Sequence, residues 1–261
     1  MNYSFVDSTF EINSKNEEVF YQNFCTAEGS GSIQKINICD FDEMSGFSYG
    51  VEYLTQDTKY FFRNRENPTS MMFANEDWTK INICRGVNGE YSNELVVTAV
   101  YSRLCTLGTA LIHASLVDYN GNGIVFTGPS GVGKTTQAEL WERYRGATIV
   151  NGDKVFVRLV DDRFYAYGSP WMGSSPYCVN GKSELKGIVV LSQGKSNEIR
   201  RINDIEATQL FLPHVFMPRW SKDCMNGLFS TLNLLLEKVP VWLLKCNLEE
   251  EAIAITEKAI L

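Results

Sequence analysis

The sequence predicts an α/β (α+β) chain in which a P-loop domain follows a mainly β N-terminal module. Three observations predict it. The run Gly128-Pro129-Ser130-Gly131-Val132-Gly133-Lys134-Thr135, with Thr136 behind it, fits the eight-position Walker A pattern. Residues 123–127 before it read as a buried strand and residues 136–144 after it as a helix, the context that pattern needs. Residues 1–90, by contrast, are rich in aromatic and alternating segments of strand type.

The elements follow from periodicity and turn chemistry. In the front module, bounded at 1–92, residues 47–54 and 59–62 read as strands. Lys35-Ile36-Asn37-Ile38-Cys39 is echoed by Lys80-Ile81-Asn82-Ile83-Cys84. Two five-residue copies are too few for a repeat array; they mark two equivalent strands or a coincidence. Residues 63–77, with Asn67-Pro68-Thr69-Ser70, read as a loop, and the module as mainly antiparallel. From Asn93 to Leu107 the spacing turns helical, with Leu95, Val96, Val100, Leu104 and Leu107 near one face; the second domain is taken as 93–261. Residues 111–119 read as a strand, and Asn120-Gly121 is a strong two-residue hairpin signal, so this strand folds back antiparallel to 123–127 under the glycine-rich loop. Further strands are expected at 147–150, 155–160, 163–168, 186–192 and 239–246, a turn-rich loop at 168–173, and helices at 204–212, 221–238 and 248–260.

Composition limits the function classes. The 261 residues are 44% hydrophobic, enough for a core, yet no run approaches the roughly 20 apolar residues of a membrane helix. The start of the chain lacks a basic segment followed by an apolar one, so no signal peptide is expected. The seven cysteines are scattered, odd in number and never spaced C-x-x-C, which argues against zinc and against a disulfide framework and fits reduced thiols in a cytoplasm. The net charge of −7 lies wholly in the first 110 residues, which carry 15 acidic and 8 basic side chains. An acidic front half does not favour nucleic acid. It reads as a solvated surface, or as a face for a basic peptide or protein.

The chemistry-bearing residues cluster around the glycine-rich loop. Successive backbone N–H groups there, with the positive end of the next helix, can cradle a polyphosphate. In that reading residues Gly128, Pro129, Ser130, Gly131, Val132, Gly133, Lys134, Thr135 and Thr136 bind the nucleotide. Lys134 reaches the outer phosphates as a point charge, and Thr135 offers its hydroxyl to Mg²⁺. The plain alternative is a glycine-rich turn with no ligand. Asp153 follows the apolar pair Ile149-Val150 as a Walker B carboxylate does; it holds the metal or contacts an acceptor hydroxyl, or is an exposed turn aspartate. His113, one of two histidines, is either a satisfied core residue or a group that stabilises phosphate charge or relays a proton. His214 follows Pro213 and has no evident partner in the sequence. Arg200, Arg201, Arg219, Lys182 and Lys186 are downstream cations that could reach a γ-phosphate or an acidic substrate, or plain surface charges.

The order of histidine-bearing strand, Asn-Gly hairpin, strand, GPSGVGKTT, helix and Ile149-Val150-Asn151-Gly152-Asp153 resembles the catalytic domain of HPr kinase/phosphorylase, whose fold is shared with ATP-dependent phosphoenolpyruvate carboxykinase. The Gly168-Ser169-Pro170-Trp171 loop and the ending Pro240-Val241-Trp242-Leu243-Leu244-Lys245-Cys246 are similar to those of small bacterial HPr-kinase-like proteins encoded beside peptide-modifying genes. The resemblance covers about residues 105–260. It implies an ATP- and Mg²⁺-dependent kinase acting on a hydroxyl, a serine of a peptide or protein, with Lys134, Asp153 and His113 as catalytic residues and Thr135 and Asp153 as metal ligands. A homo-oligomer is compatible with it. Two positions depart from the pattern: Gly152 stands where the resemblance implies the first of two aspartates, and Ser174 where a lysine is common. The alternative is therefore a nucleotide-binding, non-catalytic partner of a peptide-maturation system. A carboxykinase acting on a small dicarboxylic acid fits less well, because the chain is far shorter than such enzymes.

Overall fold

The computed structural model describes residues 1–14, 21–27, 31–40, 58–86, 89–90, 92–247 and 249–261. The chain forms two compact units, Met1–Leu104 and Cys105–Leu261, each with its own sheet, and is mixed α/β.

The first unit holds β1 (Asn2–Phe5), β2 (Ser8–Ser14), β3 (Cys25–Thr26), β4 (Gln34–Cys39), β5 (Tyr60–Arg63), β6 (Met71–Ala74) and β7 (Lys80–Cys84), in the spatial order β3-β1-β2-β4-β7-β6-β5. The two echoed pentapeptides are β4 and β7, parallel neighbours in matching register from Lys35↔Lys80 to Cys39↔Cys84. Identical side chains thus stack across the pair. The four isoleucines are buried on one face, and Asn37 donates to Asn82 at 3.1 Å on the other. Strands β2 and β4 are parallel as well, so the sheet is antiparallel at its flanks and parallel at its centre. Alternation reveals a strand's faces but not its direction, which is why the parallel centre was not legible. The expected loop at 63–77 contains β6, whose apolar residues pair with both β5 and β7; the stretch closed by Asn64 N–H to Ser70 C=O and the turn at 75–77 are loop. The strand expected at 47–54 lies outside the described residues. Helix α1 (Asn93–Thr106) follows, with Leu95, Val96, Val100 and Leu104 buried.

The second unit contains β8 (Thr109–Tyr119), β9 (Asn122–Thr127), α2 (Lys134–Arg145), β10 (Thr148–Asn151), β11 (Lys154–Val160), β12 (Arg163–Tyr167), β13 (Lys182–Gln193), β14 (Glu198–Arg201), α3 (Asp204–Leu210), α4 (Lys222–Lys238), β15 (Val241–Cys246) and α5 (Glu250–Ile260). The Asn-Gly hairpin forms as its chemistry dictates: Asn120 and Gly121 have φ of 55° and 81°, and β8 and β9 pair antiparallel from Tyr119↔Asn122 to Ala114↔Thr127. Strand β8 uses both edges. β9 pairs with one; β10 and β11 pair with the other. Strand β13 pairs parallel with β9 and β15, and the pairings β8–β11–β12–β13–β9 return to β8, so this part of the sheet closes on itself. Two details differ from the sequence expectation. Helix α3 stops at Leu210 and gives way to a single 3-10 turn, Leu212–His214, because Pro213 cannot continue an α-helix. Strand β14 is short and charged, and its alternation is too weak to read.

Helices α2 and α5 cover one face of this sheet. Trp141 of α2 is fully buried there, 5.8 Å from the ring of Tyr119 and 6.4 Å from that of Phe126, among Ala138, Ile149, Val189, Leu244 and Ile253. This packing fixes the helix that begins at the glycine-rich loop. Trp141→Ala should therefore destabilise the chain by about 3 kcal/mol or more, read as a lowered midpoint of urea unfolding.

Candidate functional site

The glycine-rich loop starts as soon as β9 ends. Gly128 has φ of 146°, and a Cβ there would press on Val132 at 3.1 Å and on the Leu191 carbonyl at 3.2 Å; Gly131 and Gly133 have φ of 76° and 111°. The backbone path requires glycine at these positions. Gly133 caps α2 without a side chain, so the first N–H groups of that helix have no side-chain acceptor. Together with the helix dipole they favour an anion.

A cavity of about 470 Å³ lies at this loop. Ser130, Gly131, Gly133, Lys134, Thr135 and Thr136 line it from the loop and α2, and His113, Gly152 and Asp153 from the sheet. Met172, Ser174, Ser175 and Pro176 line it from the segment after Trp171. The structure thus brings His113, Asp153, Lys134 and Thr135 to one cavity. Gly128, Pro129 and Val132 do not line it but shape the loop. The Lys134 ammonium, though buried, donates to the Gly128 and Pro129 carbonyls at 3.1 and 3.2 Å. Its burial pushes its pKa below the ordinary lysine value, partly offset by the charge of Asp153.

Asp153 is held by its surroundings. His113 Nε2 is 3.2 Å from Oδ1 and Lys154 Nζ 2.6 Å from Oδ2. The His113 hydrogen bond, assisted by Lys154 and opposed by burial, lowers the carboxyl pKa to about 2. Asp153 is ionised at neutral pH. The register of β8 makes this cluster: His113 pairs with Lys154, and Ala114 N–H donates to the Asp153 carbonyl at 3.0 Å. His113 is a half-exposed member of the site, not a satisfied core residue.

Sequence reasoning missed four contributors. Asn151 is fully buried, and its Oδ1 accepts from the backbone N–H groups of both Asp153 and Lys154 at 2.9 Å, while its amide donates to the Ser169 carbonyl. This Asx turn aims Asp153, and Asn-Gly-Asp was its readable signal. Lys154 is the cation on Asp153; of the basic residues further downstream, Arg200 grips Glu206, Lys186 pairs with Glu184, and Lys182 lies over the ring of Tyr165. Ser115 on β8 donates to the Lys134 carbonyl at 2.8 Å and ties strand to helix. Ser175 explains Gly152. A Cβ at Gly152 would collide with the Ser175 side chain, so a side chain from 152 has no room. That crowding, and not a left-handed backbone, is what calls for glycine here, since the φ of Gly152 is not in the positive range.

No protein-family model matches the chain. Among curated proteins, the HPr kinase/phosphorylase of Clostridium tetani is 30% identical over 113 residues, covering 43% of this chain and 33% of that protein. The HPr kinase/phosphorylase of Clostridium acetobutylicum is 37% identical over 81 residues, covering 31% and 24%. This is an HPr kinase-like protein. Its match spans a third or less of the length of those relatives. A solved structure, the Hpr(Ser) kinase/phosphatase from Coxiella burnetii, matches with a TM-score of 0.35 at 12% identity, over 57% of this chain and 97% of that one.

Two predictions follow from the geometry of this HPr kinase-like site. The Asp153 pKa is depressed from 3.8 to about 2, so its ionised form stabilises the fold above about pH 4, and this contribution is lost as pH falls toward 2. Asp153→Asn should cost about 2 kcal/mol at pH 7 in the metal-free chain, with the difference shrinking below pH 4 in denaturant titrations. Gly152→Asp should lower the melting temperature, and Ser175→Gly in the same chain should restore much of the loss, because it removes the side chain that blocks residue 152.

Proposed function

We propose that the chain is an ATP- and Mg²⁺-dependent kinase that transfers a phosphoryl group to a hydroxyl, a serine of a peptide or protein, on a P-loop fold of the HPr kinase/phosphoenolpyruvate carboxykinase type. The observation that carries this reading is the meeting of an uncapped α2 N-terminus, a buried Lys134 and an ionised Asp153 at one cavity. Lys134 is held only by neutral carbonyls, and a phosphate would complete its coordination. Among the described residues no group of three His, Cys, Asp or Glu is arranged to hold a metal. A kinase Mg²⁺ does not need one, since it is bound through one or two carboxylates plus substrate phosphates and water. Thr135 and Asp153 fit that role, and the ion would supply charge neutralisation at the transferred phosphate.

In this reading the loop N–H groups and Lys134 bind and orient the triphosphate. Asp153, fixed by Asn151, His113 and Lys154, keeps its charge without reorganisation. His113 shields the developing charge from the sheet side. The residues after Trp171 wall the cavity where an acceptor would approach, and the front module, acidic and rich in strands, helps select a peptide or protein. Nucleic acid and membrane are not partners in it; among the described residues no helix is long and apolar enough to cross a membrane. A cytoplasmic setting accords with the cysteines. One observation favours a second reading, a nucleotide-binding partner without turnover: Ser175 fills the space that an acidic side chain at 152 would need.

Lys134→Ala should weaken Mg·ATP binding by about 10- to 100-fold, the worth of charge-assisted hydrogen bonds, and leave the melting temperature of the apo chain nearly unchanged. Calorimetric titration of both forms decides it, and equal affinities would remove Lys134 from the phosphate site. Mass spectrometry of serine-containing peptides after incubation with Mg·ATP separates the two readings: one added phosphate supports the kinase, and nucleotide binding without transfer supports the partner.

A further inference from the structure

The cavity at the glycine-rich loop holds an uncommitted serine of its own. Five of its lining residues carry hydroxyls: Ser130, Thr135, Thr136, Ser174 and Ser175. Ser130 belongs to the loop, and Thr135 and Thr136 to the first turn of α2, so these three are parts of the cradle in which phosphates would sit. Ser175 packs against Gly152, and its hydroxyl accepts from the Tyr177 N–H at 3.3 Å. Ser174 differs from all four. It is exposed, it lines the cavity, and its hydroxyl has no hydrogen-bond partner among the described residues. It also sits at the tip of a turn. The Met172 carbonyl accepts from the Ser175 N–H at 3.0 Å, which makes Gly173 and Ser174 the two central residues. Gly173 has φ of 60°, and a Cβ there would come within 2.8 Å of the Asp153 carboxylate carbon, so the turn rests this glycine on Asp153 and Ser174 is the next residue along. The segment is anchored on both sides of the turn. Trp171 is buried with its ring 6.2 Å from that of Phe156, and Cys178 bridges to Asn151. The Tyr177 hydroxyl donates to Glu139 of α2 at 3.2 Å, which ties the segment to the helix that starts in the loop.

A kinase needs a hydroxyl beside its phosphate cradle, and this wall supplies one next to the carboxylate of the site. We propose that Ser174 is an acceptor in cis, so that the chain phosphorylates its own turn, an inference that rests on the kinase reading. The Ser174 Oγ forms its bond to the γ-phosphorus of ATP as the bond from that phosphorus to the β,γ-bridging oxygen breaks. The electron pair leaves with ADP, and the hydroxyl proton goes to solvent, to which Ser174 is open. Phosphoryl transfer through a loose transition state asks little of a base, since positioning and charge neutralisation supply most of the catalysis. Tethering the hydroxyl at the cavity replaces a bimolecular encounter with an intramolecular one.

The full chain incubated with Mg·ATP should gain one phosphoryl group, and fragmentation mass spectrometry should assign it to Ser174. Because the step is intramolecular, its first-order rate constant should stay the same when the chain is diluted about 20-fold. Ser174→Ala should lose the mark and Ser174→Thr should keep it, both with melting temperatures near wild type, since the residue is exposed on a turn. Lys134→Ala should abolish the mark, which a contaminating kinase would not allow. Phosphate on a different residue, a rate constant that rises with chain concentration, a mark that survives Lys134→Ala, or transfer to an added serine peptide with none to Ser174 overturns the proposal. The last of these leaves the kinase reading standing. Binding of Mg·ATP without transfer to Ser174 or to any peptide overturns both, and leaves the nucleotide-binding partner.

Discussion

Everything at the site depends on β8 being paired along both edges. One edge receives β9, which ends at Thr127 and delivers the glycine-rich loop. The other receives β11, whose first residue sits opposite His113 and so carries Asp153 to the same level. The hairpin at Asn120-Gly121 sets the first register and the Asx turn at Asn151 sets the second. A one-residue slip in either would turn His113 and Ser115 to the wrong face. Both faces of β8 are packed, Ala110, Ile112, Ala114 and Leu116 on one and Leu111, Ser115 and Val117 on the other, so such a slip would exchange two buried layers of different side chains. Packing and site geometry are therefore one constraint.

That constraint also marks what could be read from the sequence. The loop, the hairpin and Asp153 were legible because each is a local signal: glycines where the backbone turns left-handed, Asn-Gly where two successive positive φ values are needed, a carboxylate after an apolar strand. Asn151 and Lys154 flank Gly152-Asp153 in the sequence, but their roles come from where their side chains end, which needs the pairing of β11 with β8. Val215 is the extreme case: it lies about a hundred residues along the chain from Ile112, and no local signal announces the bridge between them. In the front unit the echoed pentapeptides were visible, yet their parallel, in-register pairing was not, because direction is a property of the connection and not of the strand.

The charges at the cavity are arranged to stay fixed. Asp153 is flanked by an imidazole and an ammonium, and Lys134 is desolvated and braced by two carbonyls. Groups so constrained change little when a ligand arrives, which is what electrostatic stabilisation of a transferred phosphoryl group requires. The same rigidity argues against using them to shuttle protons. A base must exchange its partner during the reaction, and a residue already committed to two strong bonds does so at a high cost.

Gly152 brings these strands together. If an acidic side chain at that position were simply lost, an empty pocket beside Asp153 would remain. Ser175 fills the space, and its hydroxyl accepts from the Tyr177 N–H at 3.3 Å, so the segment after Trp171 packs against the glycine. Gly173 also lies close to Asp153: its φ is 60°, and a Cβ there would come within 2.8 Å of the carboxylate carbon. Two glycines thus let this segment close down on the Asp153 side of the cavity. The wall it forms narrows the approach to Asp153 from that direction.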